Sequence, residues 1–238
     1  EPIVTLGHIG KHTIAITNST VYMFVAVGII GLLMLATGRQ LVPGRMQSVA
    51  EISYEFVATM IRSTAGSEGL KFFPLVFTLF MFICVSNLVG IIPYTFTVSS
   101  HLIVTAALAL LVFFTVLFYG LYKNGLKFFK IFVPSGVPMA VLPLVVFIEV
   151  LSFFLKPVSH SVRLFANMLA GHIALKVFAG FIAMLGVSLG ALGWVGGIAP
   201  LALTIALTAL ELLVAFLQAY VFAILTCIYL NDAIHPGH

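Results

Sequence analysis

Between Glu149 and His172 five polar side chains, Glu149, Lys156, His160, Arg163 and Asn167, fall within about 60° of one another on a helical wheel and span roughly 27 Å of helix. The residues around them are mostly apolar. An arginine at the centre of a bilayer-spanning helix costs about 2.5–3.5 kcal/mol on insertion scales, so it faces protein or water rather than lipid. Its guanidinium stays protonated, which makes Arg163 a fixed positive charge and not a proton carrier. Taken one at a time, such residues could equally serve as glue between helices, Lys156 pairing with Glu149 for example. A whole aligned stripe is harder to explain in that way. His172 falls on the opposite side of the wheel and must look toward something else.

A second apolar helix supplies it. Thr204, Glu211 and Gln218 share one face there. Counted from the glycine-rich turn GVSLGALGWVGGIAP, His172 reaches the depth of Glu211 and Asn167 that of Gln218. A histidine beside a carboxylate changes charge near neutral pH and suits a proton path; a buried ion pair is the plainer alternative. Glu149 lies about 21 Å from Arg163 along the helix and would serve the other side. Two such half-paths, separated by a fixed cation, form a dead end unless a second component ferries protons past it. That component needs a carboxylate that releases its proton beside Arg163 and holds one when facing lipid.

The elements that must position these residues are membrane helices. Of 238 residues 62% are hydrophobic and only 8% charged, far below the quarter or so usual in soluble domains. The mean hydropathy is +1.22. A pI near 9.2 could suggest nucleic acid, but the cations form no basic, aromatic-interleaved patch. Cys84 and Cys227 both lie in apolar runs and say nothing of redox compartment. The sequence starts at Glu1 without a methionine, which suggests a trimmed or processed product, and no signal-peptide pattern precedes the first apolar run.

The expected fold class is an all-α polytopic membrane protein: outer transmembrane helices, an interfacial amphipathic helix and a long tilted antiparallel hairpin. The chain divides into an external N-terminus (1–19), a first span (20–37), an interfacial helix (45–65), a transmembrane hairpin (72–122) and the long hairpin (138–230). The interfacial assignment rests on Val49, Ile52, Phe56, Met60 and Ile61 taking one face, with Ser48, Glu51, Glu55, Thr59 and Arg62 on the other. The last two apolar stretches exceed the bilayer thickness and must tilt, bend or break, with Pro157 the expected bend. Arg39, Arg45, Arg62 and Lys71 in one connection and Lys123, Lys127 and Lys130 in another, against none in 93–100, set the first two connections in the cytoplasm and both 93–100 and the N-terminus outside. No repeat relates the two halves, which disfavours a repeat-built transporter. No GxxxxGK[ST], CxxC or HExxH motif occurs.

The stretches KPVSHSVRLFANMLAGH (156–172) and ELLVAFLQAYVFAILTCIYL (211–230), supported by FICVSNLVGIIPYTFT (82–97), resemble subunit a of the F-type ATP synthase. The likeness is to the mitochondrial and alphaproteobacterial forms, which carry the histidine at the place of His172 and the acid at that of Glu211, the reverse of some other bacteria. The resemblance implies a proton-translocating stator subunit that makes no covalent bonds, needs no cofactor and offers two offset half-channels to the carboxylate of a c-subunit ring. It implies that Arg163 is the essential stator charge, that Asn167, His172, Glu211 and Gln218 belong to the external half-channel, and that Glu149 belongs to the cytoplasmic one. Implied partners are the c-ring, b-type peripheral stalk subunits, the rest of the synthase and lipid, with no nucleic acid. The implied location is a bacterial inner membrane or, alternatively, a mitochondrial one. Some members have an aspartate where this chain has Gly90, which leaves Asn87 a weak site candidate. His101 and Lys156 read as structural, and Lys176 matches no motif and is expected to snorkel or pair. The competing functional classes are a self-contained ion channel or secondary transporter and a purely structural anchor.

Overall fold

A computed structural model describes residues 2–9, 12–35, 44–92, 95, 97–133, 138–139, 141–189 and 196–234. Among these residues six α-helices carry the architecture: α1 (Asn18–Leu35), α2 (Arg45–Gly69), α3 (Phe73–Ile91), α4 (Leu102–Asn124), α5 (Leu142–Leu189) and α6 (Ile198–Ile234). Five helical stretches, within Asn18–Leu35, Arg45–Ile91, Leu102–Asn124, Leu142–Ser188 and Ile198–Ile234, are long and apolar enough to cross a bilayer. The fold is that of an all-α polytopic membrane protein. One departure precedes the helices: Pro2–Ile9 and His12–Thr17, both rich in β-branched residues, pair as an antiparallel β-hairpin in the stretch expected to be an external N-terminus without strands.

The core forms where helical periodicity brings apolar faces together. On α3, Val76, Leu79, Phe80, Ile83, Asn87 and Gly90 are buried, the three-and-four spacing of a single face. On α6 the buried stripe begins at Glu211 and runs through Ala215, Ala219, Ala223 and Cys227, small residues one turn apart that let helices approach closely. α3, α5, α2 and α4 all pack on α6, which is therefore the central element. Three polar contacts tie helices together on one side of the bundle. Lys123 pairs with Glu68, Asn124 Nδ2 donates to the Ala233 carbonyl at 2.6 Å, and Lys156 Nζ lies 3.3 Å from Asp232 Oδ2.

α2 is interrupted at Gly66, whose φ of 68° is not helical, and its apolar residues divide differently from the expected face. Val57, Ala58, Met60 and Ile61 face the core and Phe56 is half-buried, whereas Val49 and Ile52 are exposed. α2 packs on α6, so tertiary contact captured the later half of the face and left the earlier half outward.

At about 1.5 Å per residue α5 is roughly 70 Å long and α6 roughly 55 Å, well beyond a hydrocarbon core of about 30 Å. α5 continues as helix through Pro157, with no break at the expected bend. Only Phe153, His160, Ser161, Leu164 and Met168 of α5 are buried, a stripe one residue wide, and no residue of 198–210 in α6 is. Much of the hairpin surface is thus exposed and apolar. Its turn at 190–195, like Arg39, Pro93 and Tyr94, lies outside the described residues.

Candidate functional site

α5 and α6 run side by side, and they bring His172 and Glu211 together: Nδ1 of the imidazole stands 3.7 Å from Oε1 of the carboxyl. That is the level obtained by counting from the turn. The separation is that of an ion pair but is longer than a hydrogen bond. Glu211 is 6% exposed, and both carboxyl oxygens are buried without a hydrogen-bond partner among the described residues. A fully ionised carboxylate left in that state is costly, so the group depends on its neighbour and on its proton.

Gly171 makes this approach geometrically possible. A Cβ there would come within 2.8 Å of Glu211 Oε1 and 3.1 Å of its Cδ, closer than packed atoms tolerate. Without a side chain at 171 the carboxyl lies directly against the backbone of α5. Gly171 was present in the GH pair of the motif, but its steric role is visible only once the two helices are docked.

On its other nitrogen, Nε2, His172 meets Thr97 Oγ1 at 2.5 Å. Thr97 also donates to the Gly90 carbonyl at 3.2 Å. Ser99 Oγ donates to Asn87 Oδ1 at 2.5 Å, and Asn87 Nδ2 donates to the Ala215 carbonyl of α6 at 3.2 Å. A band of hydroxyls and amides thus joins α3 and the 97–100 segment to the hairpin at the depth of His172. Asn87 belongs to this band, and Thr97 and Ser99 were not singled out from sequence. The signal available was a run of hydroxyls, TFTVSS, in a connection without Lys or Arg.

The five-residue stripe does not act as one face. Arg163 and Asn167 are exposed, Glu149 and Lys156 are half-buried, and His160 is turned inward, 4% exposed, with its ring 3.9 Å from that of Phe222. The wheel angles are right, but the narrow seam between α5 and α6 runs along one edge of the stripe. Lys156 pairs with Asp232, not with Glu149, and its ammonium also lies 4.8 Å from the ring centroid of Tyr229. Asp232 escaped notice because it falls just beyond the last apolar run.

Arg163 emerges among exposed apolar side chains of its own helix, Leu155, Val158, Val162 and Leu169. Two clefts flank it. One, about 210 Å³, is lined by Asn167, Gly171, Ala174, Leu207, Leu210 and Glu211. The other, about 390 Å³, is lined by Ile148, Leu151, Ser152, Lys156, Ser159 and Tyr229. Gln218 is buried one helical heptad past Glu211 on the same face of α6, and Glu149 sits next to Ile148 of the second cleft.

Residues 20–231 match the family model described as ATP synthase A chain. The chain is 83% identical over 238 residues to ATP synthase subunit a of Bradyrhizobium diazoefficiens, covering 100% of this chain and 96% of that protein. It is 83% identical over 236 residues to the protein of the same name in Rhodopseudomonas palustris strain HaA2, covering 99% and 95%. The protein of that name in Nitrobacter winogradskyi is 74% identical over 238 residues, covering 100% and 96%. With a match over most of its length and relatives of this identity, the chain belongs to the ATP synthase A chain family.

Proposed function

We propose that this chain is the proton-conducting stator of the membrane sector, coupling proton flow through two offset half-channels to rotation of a c-subunit ring. The observation that carries the reading is Arg163, a permanent cation exposed at the middle of a long, mostly apolar helix with a cleft on either side. Such a charge is unfavourable against lipid, and a passing carboxylate on a partner helix would cover it. Beside Arg163 that carboxylate gives up its proton into one cleft, and it takes another from the other cleft before facing lipid, where it holds it. Rotation from one cleft to the other around the lipid side is then tied to proton transfer.

In this reading the outer half-channel comprises Asn167, His172, Glu211 and Gln218, and the second cleft, next to Glu149, opens to the cytoplasm. Lys123 and Lys71 lie toward the side of the bundle tied by Lys123 to Glu68, which fits a cytoplasmic face. The chain forms no nucleotide site and is not itself catalytic; b-type stalk subunits and the rest of the synthase complete the machine. Its bacterial relatives favour a bacterial inner membrane. A self-contained channel would have no use for a fixed cation on its outer surface.

The decisive experiment is Arg163→Ala in the assembled complex. Proton-driven ATP synthesis in inverted vesicles should be abolished, with passive proton leak permitted between the clefts. Synthesis at near wild-type rate with normal assembly would overturn the reading.

A further inference from the structure

We propose that Thr97 is a positioning residue for His172, fixing the imidazole tautomer so that its Nδ1 lone pair faces Glu211. The inference rests on the outer half-channel reading above and adds to it a residue from outside the long hairpin. A hydroxyl has a single proton to give. With that proton turned to the Gly90 carbonyl, 3.2 Å away and able only to accept, the same oxygen accepts from His172. The contact of 2.5 Å to Nε2 therefore requires a proton on Nε2. In the neutral ring Nδ1 is then an acceptor, and Nδ1 is the atom 3.7 Å from Glu211 Oε1. A proton on the Glu211 carboxyl can pass to Nδ1, leaving a carboxylate and an imidazolium, and return restores both neutral groups. With the opposite tautomer Nδ1 already carries the ring proton and has no lone pair to take one from Glu211.

The surroundings hold Thr97 in this role. Gly90 leaves the space it needs, since a Cβ at 90 would come within 2.8 Å of Thr97 Oγ1. Next to it, Ser99 is hydrogen-bonded to Asn87, which is in turn anchored on the Ala215 carbonyl of α6. Thr97 is 6% exposed, so water does not readily replace its hydroxyl. An orienting partner on the second nitrogen of a working histidine is a general device for selecting which nitrogen does the chemistry.

The test compares Thr97→Ser, which keeps the hydroxyl, with Thr97→Val, which keeps the shape, in the complete synthase. Proton-driven synthesis, normalised to assembled complex, should be largely retained in the serine variant and reduced roughly fivefold or more in the valine variant, the scale of one lost hydrogen bond. A packing role alone predicts the reverse tolerance. Independently, 15N NMR of histidine-labelled native complex, differenced against His172→Gln, should report Nε2 protonated in the neutral ring. Equal activity of the two Thr97 variants, or a neutral ring protonated on Nδ1, would overturn the proposal. If the valine variant does not assemble, the tautomer measurement on the native complex decides. His172→Gln with undiminished synthesis would instead remove the outer half-channel reading, whereas an impaired His172→Gln beside an unaffected Thr97→Val would remove only the role of Thr97.

Discussion

The two ends of the α5–α6 contact are built from similar residue types with opposite polar bookkeeping. Toward the turn, Glu211 is buried with neither oxygen hydrogen-bonded among the described residues, and the His172 imidazole stands 3.7 Å away. Toward the chain end, Asp232 is half-exposed and paired at 3.3 Å with Lys156, whose ammonium also rests near Tyr229. Lys156 and Asp232 meet as a direct ion pair, whereas Glu211 faces an imidazole, a group able to accept or release a proton. In the proposed mechanism the unsatisfied pair handles protons, whereas the satisfied pair ties α5 to α6.

The largest effect expected from breaking this contrast is at Glu211 itself. Glu211→Leu fills the seam with an apolar group of similar size, so assembly should be preserved while coupled proton flow falls by more than about tenfold. Vesicle proton pumping driven by ATP hydrolysis reads this directly, and near wild-type pumping would remove Glu211 from the path.

A next, smaller effect should follow from moving the carboxyl without removing it. Gly171→Ala brings a Cβ against Oε1 and Cδ of Glu211, at the flexible end of that side chain, so the helices stay docked while the carboxyl shifts. Synthesis should drop about two- to tenfold with little change in thermal stability of the complex. A large loss of stability with a normal rate per assembled complex would assign Gly171 to packing alone.

Exchanging the pair sharpens the contrast further. His172→Glu with Glu211→His restores one acid and one base across the same gap, whereas either single change leaves two like groups facing each other. The double variant should therefore retain more proton-driven synthesis than either single one across a pH series. A double variant no better than the worse single at every pH would show that the residues do not act as a unit.

The smallest effect belongs to the satisfied end. Lys156→Met together with Asp232→Leu removes a partly exposed ion pair, worth about 0.2–1 kcal/mol, and leaves no orphan charge. Turnover per assembled complex should change by less than about twofold. A tenfold loss would put this pair in the proton path and abolish the distinction drawn here.

The sequence by itself determined the membrane class, because runs of about twenty apolar residues have no other stable environment. It also determined the depth at which His172 and Glu211 meet. Helical rise is constant, so counting residues from a shared turn measures distance. Arg163 was legible as a candidate site from its expense alone. Tertiary structure decided what periodicity cannot encode. Five residues on one wheel face were divided by the line along which α6 docks, so that His160 was drawn inward while Arg163 and Asn167 stayed out. The apolar face of α2 was likewise split between core and exterior by its contact with α6. Thr97 and Asn87 reach the hairpin from elsewhere in the chain, 75 residues from His172 in one case and 128 from Ala215 in the other. No local pattern records such a separation. Whether Glu211 has a hydrogen-bond partner is likewise a property of the packed seam, since it depends on Gly171 being bare and on every nearby donor pointing elsewhere.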